Sequence, residues 1–93
     1  MNDIDIEKVD LNLLKSLRAL ISEQHVGNAA KRMHVSQSAM SHTLSRLRET
    51  FDDPLFIRTS RGLEPTARAI SISSKLSRIL DELCDLFELA ADL

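Results

Sequence analysis

Residues 26–51 read VGNAAKRMHVSQSAMSHTLSRLRETF, and this stretch decides the fold because it scans as two helices joined by a very short turn. The second helix opens at Ser36, a residue type that favours the N-cap, and Met40, Leu44, Leu47 and Phe51 follow at the i, i+4, i+7, i+11 spacing of one apolar face. Taking about 100° per residue from Gln37, these four fall within an arc of roughly 280° to 340°. Gln37, Ser38, Ser41, His42, Ser45, Arg46, Arg48 and Glu49 occupy roughly 0° to 180°. Such a polar face is most often only solvated. Carried on a short helix and braced from behind, however, outward Gln, Ser, His and Arg side chains have the chemistry to read base edges in a major groove. The brace is predicted from about Asn28 to Met33, with Ala29 and Ala30 small enough for close packing and Val35 plugging the corner.

Beyond Phe51 the chain continues DDPLFIRTSRGLEPT. The apolar run Leu55-Phe56-Ile57, the turn residues Ser60-Arg61-Gly62 and the strand-ending Pro65 predict a small two-stranded hairpin, a wing beside the two helices. Upstream, a helix is expected from about Leu11 to Glu23 with Asp10 as its N-cap, and Leu13, Leu14, Leu17, Leu20 and Ile21 form its core stripe. Downstream, a last helix capped by Thr66 can run to about Leu93, roughly 40 Å at 1.5 Å per residue. Its residues Ile72, Leu76, Ile79, Leu83, Leu86, Ala90 and Leu93 alternate at spacings of four and three, the seam of a helix that packs lengthwise on another, and Leu80 and Phe87 widen that seam. A helix folded back on its own core is the alternative. Three short helices and a hairpin offer little surface for so long a stripe, so pairing with a second copy is expected instead.

The segment VSQSAMSHTLSRLRE followed by DPLFIRTSRGLEPTARA resembles the winged helix-turn-helix of LysR-type bacterial transcriptional regulators. The likeness runs from about Val9 to Ala69, and the following helix matches in kind. It rests on a compound pattern, S-Q-x-A-x-S, L-x-x-L-R-E, D-P-L-F-x-R and G-L-x-P-T, which is far harder to meet by chance than a lone helix-turn-helix. The resemblance implies an all-α fold with a small β-hairpin: a winged helix-turn-helix DNA-binding domain over 1–65, then a long C-terminal linker (dimerisation) helix over 66–93. It implies a double-stranded promoter or operator DNA as partner, read as an imperfect palindrome by a homodimer whose linker helices pair antiparallel, or by a tetramer in a full-length protein. Gln37, Ser38, Ser41 and His42 then lie at the groove-facing start of the recognition helix. Lys31, Arg32, Ser36, Arg46, Arg48, Arg58 and Arg61 are the candidates for the DNA backbone, the last two on the wing. Many family members carry Pro at Ser38, Arg at His42, and Thr or Ser followed by Arg at Gly27-Asn28. The family also continues into an effector-binding domain of two α/β lobes, whereas this sequence stops at Leu93, as expected of an excised DNA-binding fragment or a naturally truncated form.

The formal net charge of -2 looks wrong for a nucleic-acid binder until it is divided along the chain. Between Val26 and Arg68 the basic residues Lys31, Arg32, Arg46, Arg48, Arg58, Arg61 and Arg68 outnumber the acidic Glu49, Asp52, Asp53 and Glu64. Both flanks are acidic, so positive charge gathers where phosphate would lie. Ninety-three residues make one small domain whose stability gains from a partner that buries further apolar surface. No run is apolar enough for a membrane span and the acidic start lacks the features of a signal peptide, which predicts a cytoplasmic protein. Cys84, the one cysteine, sits on a helical face with Leu80, Leu83 and Phe87 and is expected to be a buried, inert thiol rather than a redox sensor. His25 and His34 lack a second ligand at zinc spacing, so no metal and no cofactor is expected. No phosphate loop, nucleophile elbow or paired carboxylates argue for an enzyme. The reading from another class is a winged helix used only for protein interaction or dimerisation, which salt-sensitive binding to duplex DNA would separate.

Overall fold

A computed structural model describes residues 4–91. A short 3-10 turn, Ile6–Lys8, leads into α1 (Asn12–Glu23), α2 (Val26–Arg32), α3 (Gln37–Phe51), the strands β1 (Phe56–Thr59) and β2 (Gly62–Pro65), and α4 (Ala67–Ala91). The sequence places α1 correctly but starts it one residue early. Asp10 does satisfy the open helix end, its Oδ1 accepting the N–H of Asn12 at 3.0 Å, while Leu11 holds the cap position with helical backbone and no side-chain bond. Leu13, Leu17, Ala19 and Leu20 are buried along one face. Gln24 then enters the left-handed region (φ 52) with its N–H on the Leu20 carbonyl, a common way to end a helix.

α2 begins at Val26, two residues before the expected Asn28, because His25 supplies the cap: its Nδ1 accepts the N–H of Asn28 at 3.0 Å. Val26, Ala29 and Ala30 are buried against α1 and α3. Val35 does not plug the corner. Its side chain is 44% exposed, and the turn is closed instead by the backbone, with the Val35 N–H on the Ala30 carbonyl and His34 in the left-handed region at φ 59. α3 behaves as read. Ser36 Oγ accepts the N–H of Ala39 at 3.1 Å, Met40, Leu44 and Leu47 are buried, and Phe51 packs against the same core.

The hairpin is antiparallel, with Phe56 opposite Pro65 and Thr59 opposite Gly62, so Ser60 and Arg61 alone make the turn. Gly62 is required there. Its φ of +112 is one that side-chain-bearing residues rarely adopt, and a Cβ would stand 3.0 Å from the Gln24 carbonyl. That close approach docks the wing, since the neighbouring Leu63 N–H donates to the same Gln24 oxygen at 3.0 Å. At the wing's root Leu55 is fully buried at φ 63. Asp53 holds this bend: its Oδ2 accepts both the Leu55 N–H and the Thr66 hydroxyl, each at 2.8 Å.

Thr66 also caps α4 through Ala69 N–H. The first half of α4 returns to the core, with Ala69, Leu76 and Leu80 buried and Ile72 packed partly against them. The core therefore crosses the expected division at Pro65, and Leu76 and Leu80, read as dimer interface, are core residues of their own protomer. The seam is divided because the buried residues of α4 end at Leu80. Past Leu80 every described residue is exposed. Leu83 is 40%, Leu86 59% and Phe87 70% exposed, Ala90 likewise lies open, and Leu93 falls outside the described residues. Cys84 is exposed too, contrary to expectation, because the face it shares with Leu83 and Phe87 extends beyond the core.

Candidate nucleic-acid interface

α3 presents a complete polar face because its opposite face is anchored. Ser36, Gln37, Ser38, Ser41 and His42 are all exposed, side by side over its first two turns, while Met40, Leu44 and Leu47 hold the helix to α1 and α2. The Ser36 and Ser38 hydroxyls lie 3.3 Å apart. Ser45 and Thr50 bond back to carbonyls of the preceding turn, Ser41 and Arg46, which leaves the Gln37 amide and the His42 ring as the large polar groups at the helix start. Among the described residues no hydrogen bond uses the Gln37 amide.

The basic candidates divide into two kinds. Lys31 and Arg58 are exposed; Arg32 pairs with Glu23 at 3.4 Å, Arg46 with Asp10 at 3.3 Å and Arg61 with Glu64 at 3.4 Å, all partly or largely open to water. Exposed pairs of this sort contribute little to stability, and a phosphate can replace the carboxylate. Arg48 differs. Its Nε donates to the Pro54 carbonyl at 2.8 Å and its guanidinium reaches the Phe56 carbonyl at 3.2 Å, so this arginine, expected on phosphate, braces the root of the wing. The reason is local: Arg48 lies one turn from the end of α3, where the chain bends back beneath it.

The starts of α2 and α3 and the turn end of the wing enclose a small notch of about 60 Å³ lined by Gln24, His25, Gly27, Gln37, Arg58 and Gly62, among others. Sequence reasoning missed His25, Gln24 and Asp53. An imidazole is outside the usual set of capping side chains, so His25 gave no signal; Gln24 acts through its backbone; Asp53 before Pro54 was a recognisable turn former whose partner Thr66 lies too far along the chain to be inferred. Among the described residues no group of three His, Cys, Asp or Glu side chains could hold a metal ion, and no helix is long and apolar enough to cross a membrane.

Comparison with known proteins decides the family. The profile described as "Bacterial regulatory helix-turn-helix protein, lysR family" matches residues 11–70, which takes in α1 through the first turn of α4. The chain belongs to the lysR family. It is 45% identical over 73 residues to the HTH-type transcriptional regulator PhcA of Ralstonia nicotianae, covering 78% of this chain and 21% of that protein. In structure it is similar to the probable transcriptional regulator PA0477 from Pseudomonas aeruginosa (TM-score 0.82, 38% identity, 89% of this chain and 28% of that one). It is also similar to the protein of the CbnR_DBD-DNA complex (TM-score 0.78, 26% identity, 90% of this chain and 97% of that one). The fold is thus the winged helix of lysR-family DNA-binding domains, and the chain spans about a fifth of the length of PhcA.

Proposed function

We propose that this lysR-family domain binds double-stranded DNA sequence-specifically, as the DNA-reading part of a cytoplasmic transcriptional regulator without enzymatic activity. The observation that carries the proposal is α3: a capped helix whose Met40, Leu44 and Leu47 are buried behind an open front of Gln37, Ser38, Ser41 and His42. Its N-terminal residues are those that helix-turn-helix proteins bring to base edges. Around it Lys31, Arg32, Ser36, Arg46, Arg58 and Arg61 offer donors to phosphates, which set register and carry little sequence information. The similarity to a domain solved on DNA supports this reading.

The same proposal includes a homodimer through α4. Ile79, Leu83, Leu86 and Phe87 form an exposed apolar stripe, and Ile79, Leu83 and Phe87 line, with the cap residue Leu11 and Leu14 of α1, an apolar groove of about 670 Å³. Charge favours antiparallel pairing. The inner half of α4 carries Arg68, Lys75 and Arg78 and the outer half Asp81, Glu82, Asp85 and Glu88, so antiparallel helices overlapping along their whole length set unlike charges together and parallel ones set like charges together. Two recognition helices related by such an axis would read an imperfect palindrome.

Affinity selection from a random duplex pool, followed by titration of the winner at rising salt, tests both parts. The expected result is an enriched inverted repeat whose log binding constant falls with log salt by about 0.9 per phosphate contacted. Recovery of unselected sequence with salt-insensitive retention would contradict DNA reading and favour a protein-interaction module.

A further inference from the structure

Gly27 occupies the second position of α2, with nothing in its backbone that demands glycine. At a helical position glycine costs roughly 0.5–1 kcal/mol relative to alanine, so its use must lie in the side chain it lacks. A Cβ on Gly27 would stand 2.9 Å from Cε1 and 3.3 Å from Nδ1 of His25, and 3.4 Å from Oε1 of Gln37. The imidazole therefore takes the place a Cβ would need, and the Gln37 amide lies at ordinary contact distance from the same point. The ring cannot retreat without loss, because its Nδ1 is held on the Asn28 N–H as the cap of α2. That bond also fixes the tautomer, leaving the ring proton on Nε2.

We infer that His25 and Gly27 are positioning residues for Gln37, and that through it they set the base preference of the domain although neither lies on the recognition helix. Gly27 leaves room for the pinned imidazole, and the two together line the small notch that the Gln37 amide borders. Gln37 is a flexible side chain that loses rotamer freedom when it makes paired bonds to one base; a cradle that restricts it beforehand sharpens its choice of base. The inference rests on the reading of α3 as the base-reading helix.

The test measures binding of the 93-residue protein to its selected duplex and to every single-base variant of it. Gln37→Ala first marks the base pair whose preference depends on Gln37. Gly27→Val, whose methyl groups enter the amide's space, should then reduce the preference at that same base pair by about fivefold or more, within the range that separates a good bidentate contact from a poor one. Binding to random duplex should change by less than about twofold, since phosphate contacts remain. His25→Asn keeps a capping side chain and removes the ring, and it should weaken the preference at the same base pair to a lesser degree. Gly27→Val combined with Gln37→Ala should add nothing to Gln37→Ala alone. His25→Asn, which keeps a cap on α2, is also the control for folding; a shift at the marked base pair with an undiminished thermal midpoint in that variant supports positioning. Equal losses on all sequences with preferences intact, or no change in any Gly27 or His25 variant while Gln37→Ala alters the preference, would overturn the inference and leave the base-reading role of Gln37 standing. If Gln37→Ala itself alters no base preference, the base-reading role falls and the inference falls with it.

Discussion

α3 and α4 are both amphipathic, yet they end in opposite conditions. α3 buries Met40, Leu44 and Leu47 within the protomer, half-buries Phe51 at the end of the same stripe, and shows water a polar face. α4 buries Ala69, Leu76 and Leu80 and then carries the same kind of stripe out beyond the core, where Leu83, Leu86 and Phe87 stand open. The first helix is complete and lacks only a polar ligand. The second is complete for half its length and lacks an apolar one. The two partners proposed above answer what each face leaves unmatched, a nucleic acid for α3 and a second protein surface for α4.

The contrast is tested most severely at matched leucines. Leu47→Ala removes a fully buried side chain and should cost about 2–5 kcal/mol in urea unfolding. Leu86→Ala, more than half exposed, should cost little in a monomer, with any loss appearing as weaker dimer rather than weaker fold. Next in size is Arg48→Ala, which leaves the Pro54 and Phe56 carbonyls without a charged donor; a loss of about 1.5–3 kcal/mol, with faster amide exchange in β1, would separate this arginine from those facing solvent. Equal stability would return Arg48 to the DNA-contact set. Leu83→Glu places a charge in the proposed seam and should give a folded monomer by sedimentation velocity. A dimer with unchanged affinity for two half-sites would remove that stripe from the interface. Because Leu76 and Leu80 belong to the core, a shortened chain that isolates the half-site reader must end after Leu80 rather than at Pro65. The smallest effect is expected of Arg61→Ala at the wing tip, a modest weakening alike on specific and random DNA with a salt slope reduced by about one.

What could be read from the sequence follows from how local each feature is. The helix-turn-helix was legible because Ser36 and the spacing from Met40 to Phe51 are fixed within one helix. The hairpin was legible too, since Gly62 and Pro65 punctuate it. The point at which α4 leaves the core was not, because Leu76, Leu83 and Leu86 share one periodicity, and only the reach of α1 divides them. The exposure of Cys84 follows from the same unseen boundary. Arg48 looked like its neighbours on the helical wheel, and its partners are carbonyls, which carry no sequence signal. At the candidate site, the exposed front of α3 was anticipated residue by residue, whereas the cradle formed by His25 and Gly27 depends on the packing of α2 against α3.

The central claim is that the open face of α3 reads sequence, and Gln37 tests it most directly. Its amide can bond the N6 and N7 edge of adenine in pairs. Binding of Gln37→Ala should be measured against the selected site and all its single-base variants. The expected result is a loss on the order of 1–3 kcal/mol at the selected site, confined to one base pair in each half-site, with affinity for random duplex nearly unchanged. A uniform loss across all sequences, or none, would contradict it.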